Sequence, residues 1–152
     1  STFNSTAPTT SVISIGSGSA ANSNGETFMA YCFADVKGFS YVGKQYVGNG
    51  NADGPFVYCG FKPAFVMIKR EQSGKGWIMM DNKRIGFNPD NQQLLANSNA
   101  VEYANDYIDF VANGFKIRDT NQDVNTDGNG YTYMAFAEAP LVGSNNQPAS
   151  AR

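Results

Sequence analysis

Asn125-Thr126-Asp127-Gly128 leading through Tyr131-Thr132-Tyr133-Met134-Ala135-Phe136-Ala137-Glu138 is the stretch on which the fold turns. Read as a strand, it places Tyr131, Tyr133, Ala135 and Ala137 on one face and Thr132, Met134, Phe136 and Glu138 on the other. Large apolar groups stand on both faces, so the strand belongs inside a sandwich rather than half in water. The chain carries this unit twice. Asn22-Ser23-Asn24-Gly25 leads through Phe28 into Tyr31-Cys32-Phe33-Ala34-Asp35, and Asn22 to Asn125 and Asp35 to Glu138 are each 103 positions apart, without a gap. Such a spacing is the size of a small domain, and recurrence at a fixed period marks an array of similar modules. Residues 1–40 then read as a partial preceding repeat, with a strand at Ser11–Ile15 and a strong one at Thr27–Val36. Residues 41–140 read as one β-sandwich module, and 141–152 as a polar tail.

Between the two copies, strand patterns alternate with turns at intervals of roughly ten residues, the rhythm of a sandwich or barrel. Tyr41–Val47, Pro55–Tyr58, Ala64–Arg70 and Gly76–Met80 are strand candidates, and Phe65-Val66-Met67-Ile68 is apolar on both faces and expected at a sheet centre. The turn Gln72-Ser73-Gly74-Lys75 predicts that Ala64–Arg70 pairs with Gly76–Met80. Gln93–Ala96 fits a strand or one helical turn. Tyr107–Val111 and Phe115–Arg118 form a second hairpin through Asn113-Gly114. Abundant Gly and Asn supply the positive φ that tight turns need. The expected fold is therefore all-β, an antiparallel sandwich of jelly-roll or concanavalin-like type, with an N-terminal strand pair beside it.

Composition narrows the function. A formal charge of −2 and a pI near 4.9 leave no electrostatic footprint for nucleic acid. No apolar run reaches the length of about 18 residues that a membrane-spanning helix needs. No charged segment followed by an apolar one opens the sequence, so no signal peptide is expected in it. The chain has no histidine, which removes Ser-His-Asp and Cys-His catalysis and the commonest zinc ligand. Asp35 and Glu138 stand near strand ends, but as equivalents in two copies they are expected to close a structural motif rather than to face each other across one glycosidase cleft. No phosphate-binding glycine loop precedes a helix. Catalytic residues and cofactors are therefore not expected.

Three further patterns carry chemistry. Asp123, Asn125 and Asp127 reproduce the opening D-x-N-x-D-G of a calcium loop, whose alternating oxygens converge on a hard cation. The twelfth position is Met134, which excludes a full EF-hand, and the same residues also describe an ordinary tight turn. Trp77, Tyr41, Tyr46, Tyr58 and Tyr103 could stack on sugar rings, although aromatics equally build sandwich cores. Cys32 and Cys59 read as buried free thiols in apolar strands; a disulfide between them stays open, since sequence does not supply the needed separation.

Met29-Ala30-Tyr31-Cys32-Phe33-Ala34-Asp35-Val36-Lys37-Gly38-Phe39-Ser40 is followed by Gly43, Tyr46, Gly48-Asn49-Gly50 and Asp53-Gly54-Pro55-Phe56-Val57-Tyr58. Gly60-Phe61-Lys62-Pro63-Ala64-Phe65-Val66-Met67-Ile68-Lys69-Arg70 comes next, with Asn113-Gly114-Phe115-Lys116-Ile117-Arg118 later and Tyr133–Glu138 at the end. This combination, over about residues 27 to 140, resembles a family of tailed-bacteriophage virion proteins, tail-fibre-like ones among them, built from tandem lectin-like (concanavalin-type) β-sandwich modules. The resemblance implies a module closed by an A-Y-C-F-A strand before a G-N-G turn opens the next. It carries over no catalytic or binding residues. It implies a non-enzymatic structural component of a virion, a tail fibre or receptor-binding module on the extracellular particle surface, with a carbohydrate-binding lectin-like module or a capsid decoration protein as alternatives. Expected partners are further copies of the chain (a homo-oligomer, such as a trimer, with residues 1–36 in the contacts), other virion proteins and a host surface glycan. Nucleic acid and membrane insertion are not expected.

Overall fold

Side-chain alternation sets the strands that position everything else. The computed structural model describes residues 4–72, 74–84, 88 and 92–139. Two compact units divide between Phe33 and Ala34. In the second, nine strands follow one another: β1 (Ser40–Val47), β2 (Phe56–Tyr58), β3 (Pro63–Arg70), β4 (Trp77–Asp81), β5 (Gln92–Leu95), β6 (Tyr103–Ala104), β7 (Ile108–Val111), β8 (Gly114–Ile117) and β9 (Gly130–Ala137). They form a six-stranded sheet in the order β1-β9-β3-β4-β5-β6 and a three-stranded sheet in the order β2-β8-β7, antiparallel throughout. The architecture is an all-β sandwich.

The stretch that decides the fold lies where its two apolar faces require. β9 runs between β1 and β3, pairing Tyr131 with Tyr46 on one side and with Arg70 on the other. Tyr131, Tyr133 and Ala135 are buried in the core, while Thr132, Met134 and Phe136 are half-buried on the opposite face. β3 is central as well, held between β9 and β4, and the β3–β4 and β7–β8 hairpins pair as their turns predict. Gln93–Ala96 resolves as strand β5. The short β6 at Tyr103–Ala104 had no legible signal in the sequence.

Between the sheets, Tyr46, Val66, Ile68, Ile78, Met80, Tyr131 and Tyr133 of the large sheet meet Val57, Ile108, Phe110, Phe115 and Ile117 of the small one. Each fully buried aliphatic or aromatic side chain here contributes roughly 1.5–3 kcal/mol of transfer free energy. Four rings lock the two layers. Tyr46 stacks on Tyr131 at 5.0 Å between centroids, and the Phe115 edge meets Tyr46 at 6.1 Å and Tyr133 at 5.2 Å. The Tyr46 hydroxyl, which cannot be left unsatisfied in that core, donates to the Val124 carbonyl at 2.8 Å. At Gly43 (φ +66°) the β1–β9 register slips by one residue between Val42 and Lys44. The positive φ of this bulge is one that a β-branched residue would not adopt.

Residues 4–33 differ from expectation. No strand covers Ser11–Ile15 or Thr27–Val36; the region carries only a single helical turn, α1 (Ser19–Asn22), and Val36 makes one isolated bridge to Ser40. A strand exists only where a neighbour takes its backbone N–H and C=O groups, and the strong side-chain pattern of Thr27–Val36 does not by itself provide one. Met29 and Tyr31 are accordingly 79% and 82% exposed.

The duplication nevertheless survives in the backbone. Asn22 Nδ2 donates to the Gly16 carbonyl at 2.9 Å, and Asn125 Nδ2 donates to the Asp119 carbonyl at 2.8 Å, six residues back in each case. The N–H of Asn22 donates to Gly18, that of Asn125 to Asn121; the N–H of Glu26 donates to Ser23, that of Asn129 to Thr126. Gly25 (φ +80°) and Gly128 (φ +69°) make the same left-handed turn. Residues 16–26 therefore fold locally as residues 119–129 do. The tail 141–152 and residues 1–3 lie outside the described residues.

Candidate functional site

The start of β1 and the loop after β2 enclose a cleft of about 430 Å³, lined by Asp35, Lys37, Gly38, Ser40, Tyr41, Tyr58, Cys59, Gly60 and Phe61. That volume is in the range of small-ligand sites. One wall is a tight turn before β1: the N–H groups of Phe39 and Ser40 both donate to the Val36 carbonyl at 2.9 Å, and Ser40 Oγ donates to Ala34 O at 2.7 Å. The other wall is fixed by the Asn113 carbonyl, which accepts from the N–H groups of Cys59 and Gly60 at 2.9 and 3.1 Å. Gly60 (φ +76°) reverses the chain there, and the Tyr58 ring lies beside it. Tyr133 Oη reaches the Tyr58 carbonyl from the core at 3.3 Å.

Three rings face this space in different ways. Tyr58 is 61% exposed. Tyr41 leans on Tyr133 from within the sandwich, 6.1 Å between centroids, and carries the Lys44 ammonium 5.1 Å above its ring. Phe61 packs against the core from the rim. Two charged residues line the wall, Lys37 and the acid Asp35. Its Oδ1 accepts from the Val42 N–H at 2.6 Å, and its Oδ2 pairs with Lys44 Nζ at 2.8 Å. Burial works to raise its pKa, but the Lys44 hydrogen bond, the Val42 amide and the Lys44 charge together hold it below the usual carboxylate range.

Cys59 is the thiol beside the cleft, and desolvation pushes it up to about 12, so it stays protonated and inert. The acid equivalent to Asp35 is engaged elsewhere: Glu138 pairs with Lys62 at 2.7 Å and Lys83 at 3.3 Å. The Lys62 hydrogen bond leads the interactions that keep Glu138 below its ordinary value. Asp35 thus lines the cleft and Glu138 does not; Asp35 is bound to Lys44, Glu138 to Lys62 and Lys83.

Of the aromatic candidates, the structure brings Tyr41 and Tyr58 into one cleft. Trp77 (41% exposed) opens β4 and Tyr103 (44% exposed) lies on β6. Tyr46 takes the core alternative: its ring is buried at the heart of the core, because β1 turns it inward opposite Tyr131. Lys37, Ser40, Gly60 and Phe61 join Tyr41 and Tyr58 in the lining, and the sequence signal for these four is the pair of turns flanking those two tyrosines.

The calcium-like residues are placed as follows. Asn125 is buried, with Oδ1 accepting from the Asn49 N–H at 2.8 Å and Nδ2 donating to Asn51 O at 2.7 Å and to Asp119 O. Asp123 faces Lys75 Nζ at 3.5 Å, and Asp127 is exposed. Asn125 spends its carboxamide on tying the loop before β9 to the turn after β1. Among the described residues, no group of three or more His, Cys, Asp or Glu side chains could hold a metal ion together. Both cysteines are free; Cys59 is buried as expected, whereas Cys32 is exposed, since no sheet forms around it.

No curated protein and no solved structure matches the chain. A family model described as a domain of unknown function, DUF7483, matches residues 1–140, and the chain belongs to that family.

Proposed function

We propose that this protein is a non-enzymatic structural component of a bacteriophage virion, a tail-fibre or receptor-binding module on the particle surface, and that its cleft takes a host surface glycan. The observation that carries the glycan reading is the cleft itself: the aromatic side chains of Tyr41, Tyr58 and Phe61 and the ionised Asp35 carboxylate line one space. Sugars present apolar C–H faces ringed by hydroxyls, so they suit an aromatic wall with a few fixed polar groups. A single carboxylate, already paired with Lys44, favours holding a sugar over cleaving it, since glycoside hydrolysis needs two acids in opposed roles. The virion assignment is supported by the joined motifs of Met29–Arg70 and Asn113–Glu138, carried on a β-sandwich. On this reading the chain assembles with further copies of itself, as fibre proteins require, and with other virion proteins.

The test is glycan-array binding by the full chain, followed by titration of the best glycan. Tyr58→Ala is expected to weaken binding about tenfold or more, the equivalent of about 1.4 kcal/mol, while Trp77→Ala leaves it unchanged. Binding insensitive to Tyr58→Ala, or release of cleaved sugar during the titration, would overturn the reading.

A further inference from the structure

The two copies of the repeated unit share a loop conformation but not an environment. In the second copy the loop and strand are seated: Asn125 bridges Asn49 and Asn51 of the turn after β1, and Tyr131, Tyr133 and Ala135 are buried between β1 and β3. At the equivalent places in the first copy, Asn22, Ala30 and Cys32 are exposed and Phe28 is 47% exposed. The first copy keeps the inward pattern Phe28, Ala30, Cys32 at the spacing of Tyr131, Tyr133, Ala135. It also keeps, in Asn22, the asparagine whose Nδ2 already makes the local bond six residues back. Chance similarity of sequence would not reproduce that bond together with the two backbone bonds and the left-handed glycine that accompany it.

We propose that residues 16–35 are a preformed docking element that completes a second β-sandwich of this fold in the way β9 completes the first. Asn22 seats against that module's Gly-Asn-Gly-Asn turn as Asn125 seats against Gly48-Asn49-Gly50-Asn51. Phe28–Asp35 becomes the strand between its β1-type and β3-type neighbours. The partner is a module of the same fold lacking its own last strand, because an intact sandwich has that seat filled by its own β9. Docking buries the apolar side chains of Phe28 and Cys32 and pairs the backbone on both edges, which is the driving force. The proposal stands on the repeat and not on the glycan reading, with which it shares the single residue Asp35.

The full chain supplies the test when a second copy of residues 40–118, which carries β1 to β8 but no β9, is fused ahead of Ser1. Residues 1–15 then serve as a loop into the docking element, an insertion whose entropic cost grows only slowly with length. Maleimide labelling of Cys32, followed by mass spectrometry, is expected to slow at least tenfold relative to the unfused chain. A control fusion carrying 40–138, with its own last strand, is expected to leave Cys32 as reactive as before. Equal Cys32 labelling in the first fusion and the unfused chain overturns the proposal, and so does equal protection in both fusions. Asn22→Ala in the first fusion is expected to raise the labelling rate at least threefold; an unchanged rate removes Asn22 as the anchor.

Discussion

Asn125 shows how one side chain can hold a loop in register. It is fully buried, and its carboxamide satisfies one backbone N–H and two backbone carbonyls from two separate places in the chain, the turn after β1 and Asp119. Truncation would remove three part-buried hydrogen bonds and leave a gap where the side chain is fully enclosed, and each such bond contributes about 1 kcal/mol. Asn125→Ala is therefore expected to destabilise the protein by about 3 kcal/mol in urea unfolding, with an unchanged slope. Asn22→Ala in the unfused chain removes one exposed local bond and is expected to cost less than about 0.5 kcal/mol. A comparable loss in the two variants would contradict the difference in environment described above.

At the scale of elements, the close contacts fall where strands meet. Gly114 opens β8 opposite Tyr58, and a Cβ there would overlap the Val57 carbonyl of β2. Backbone on backbone cannot give way as a flexible side chain can, so Gly114→Ala is expected to cost about 2–3 kcal/mol, the range of an overpacked interior. The loss should localise to the three-stranded sheet: amide exchange of β2 and β8 should quicken more than that of β3 and β9. Uniform quickening would mean that the two sheets unfold as one unit. The Asp35–Lys44 pair beside the cleft contributes little by comparison. Its side chains are 41% and 42% exposed and are screened by solvent.

The whole molecule responds to base through its phenols. Burial raises the Tyr46, Tyr107 and Tyr133 hydroxyls above the ordinary 10.0, with the neighbouring Tyr131 adding to Tyr46 and Asp123 to Tyr107. The unfolded chain then gives up these protons near pH 10 while the folded chain keeps them. The stabilisation is full below pH 10 and is lost as pH rises toward the folded values. Difference absorbance is expected to show these three of the eight tyrosines ionising only as the fold opens, in one cooperative step above pH 10. Their ionisation with the circular dichroism unchanged would refute the packing described for them.

Sequence alone determined the strands from residue 40 onward other than β5 and β6, both tight hairpins, the central places of β3 and β9, and the equivalence of the two Asn-led loops. All of these depend on the periodicity of side chains and on the backbone freedom of Gly and Asn within a few residues, which a linear chain displays directly. Tertiary structure decided which aromatic residues line a cleft, since Tyr41 and Tyr58 meet only because two turns bring their strands' ends together, while the β1 register sends Tyr46 into the core. It also decided that Asn125 serves the backbone, that Cys32 is exposed, and that Thr27–Val36, for all its strand pattern, is not a strand in this chain. The pattern fixes which side chains would face inward, but the hydrogen bonds that make a strand come from neighbours on either side, and only the fold supplies those.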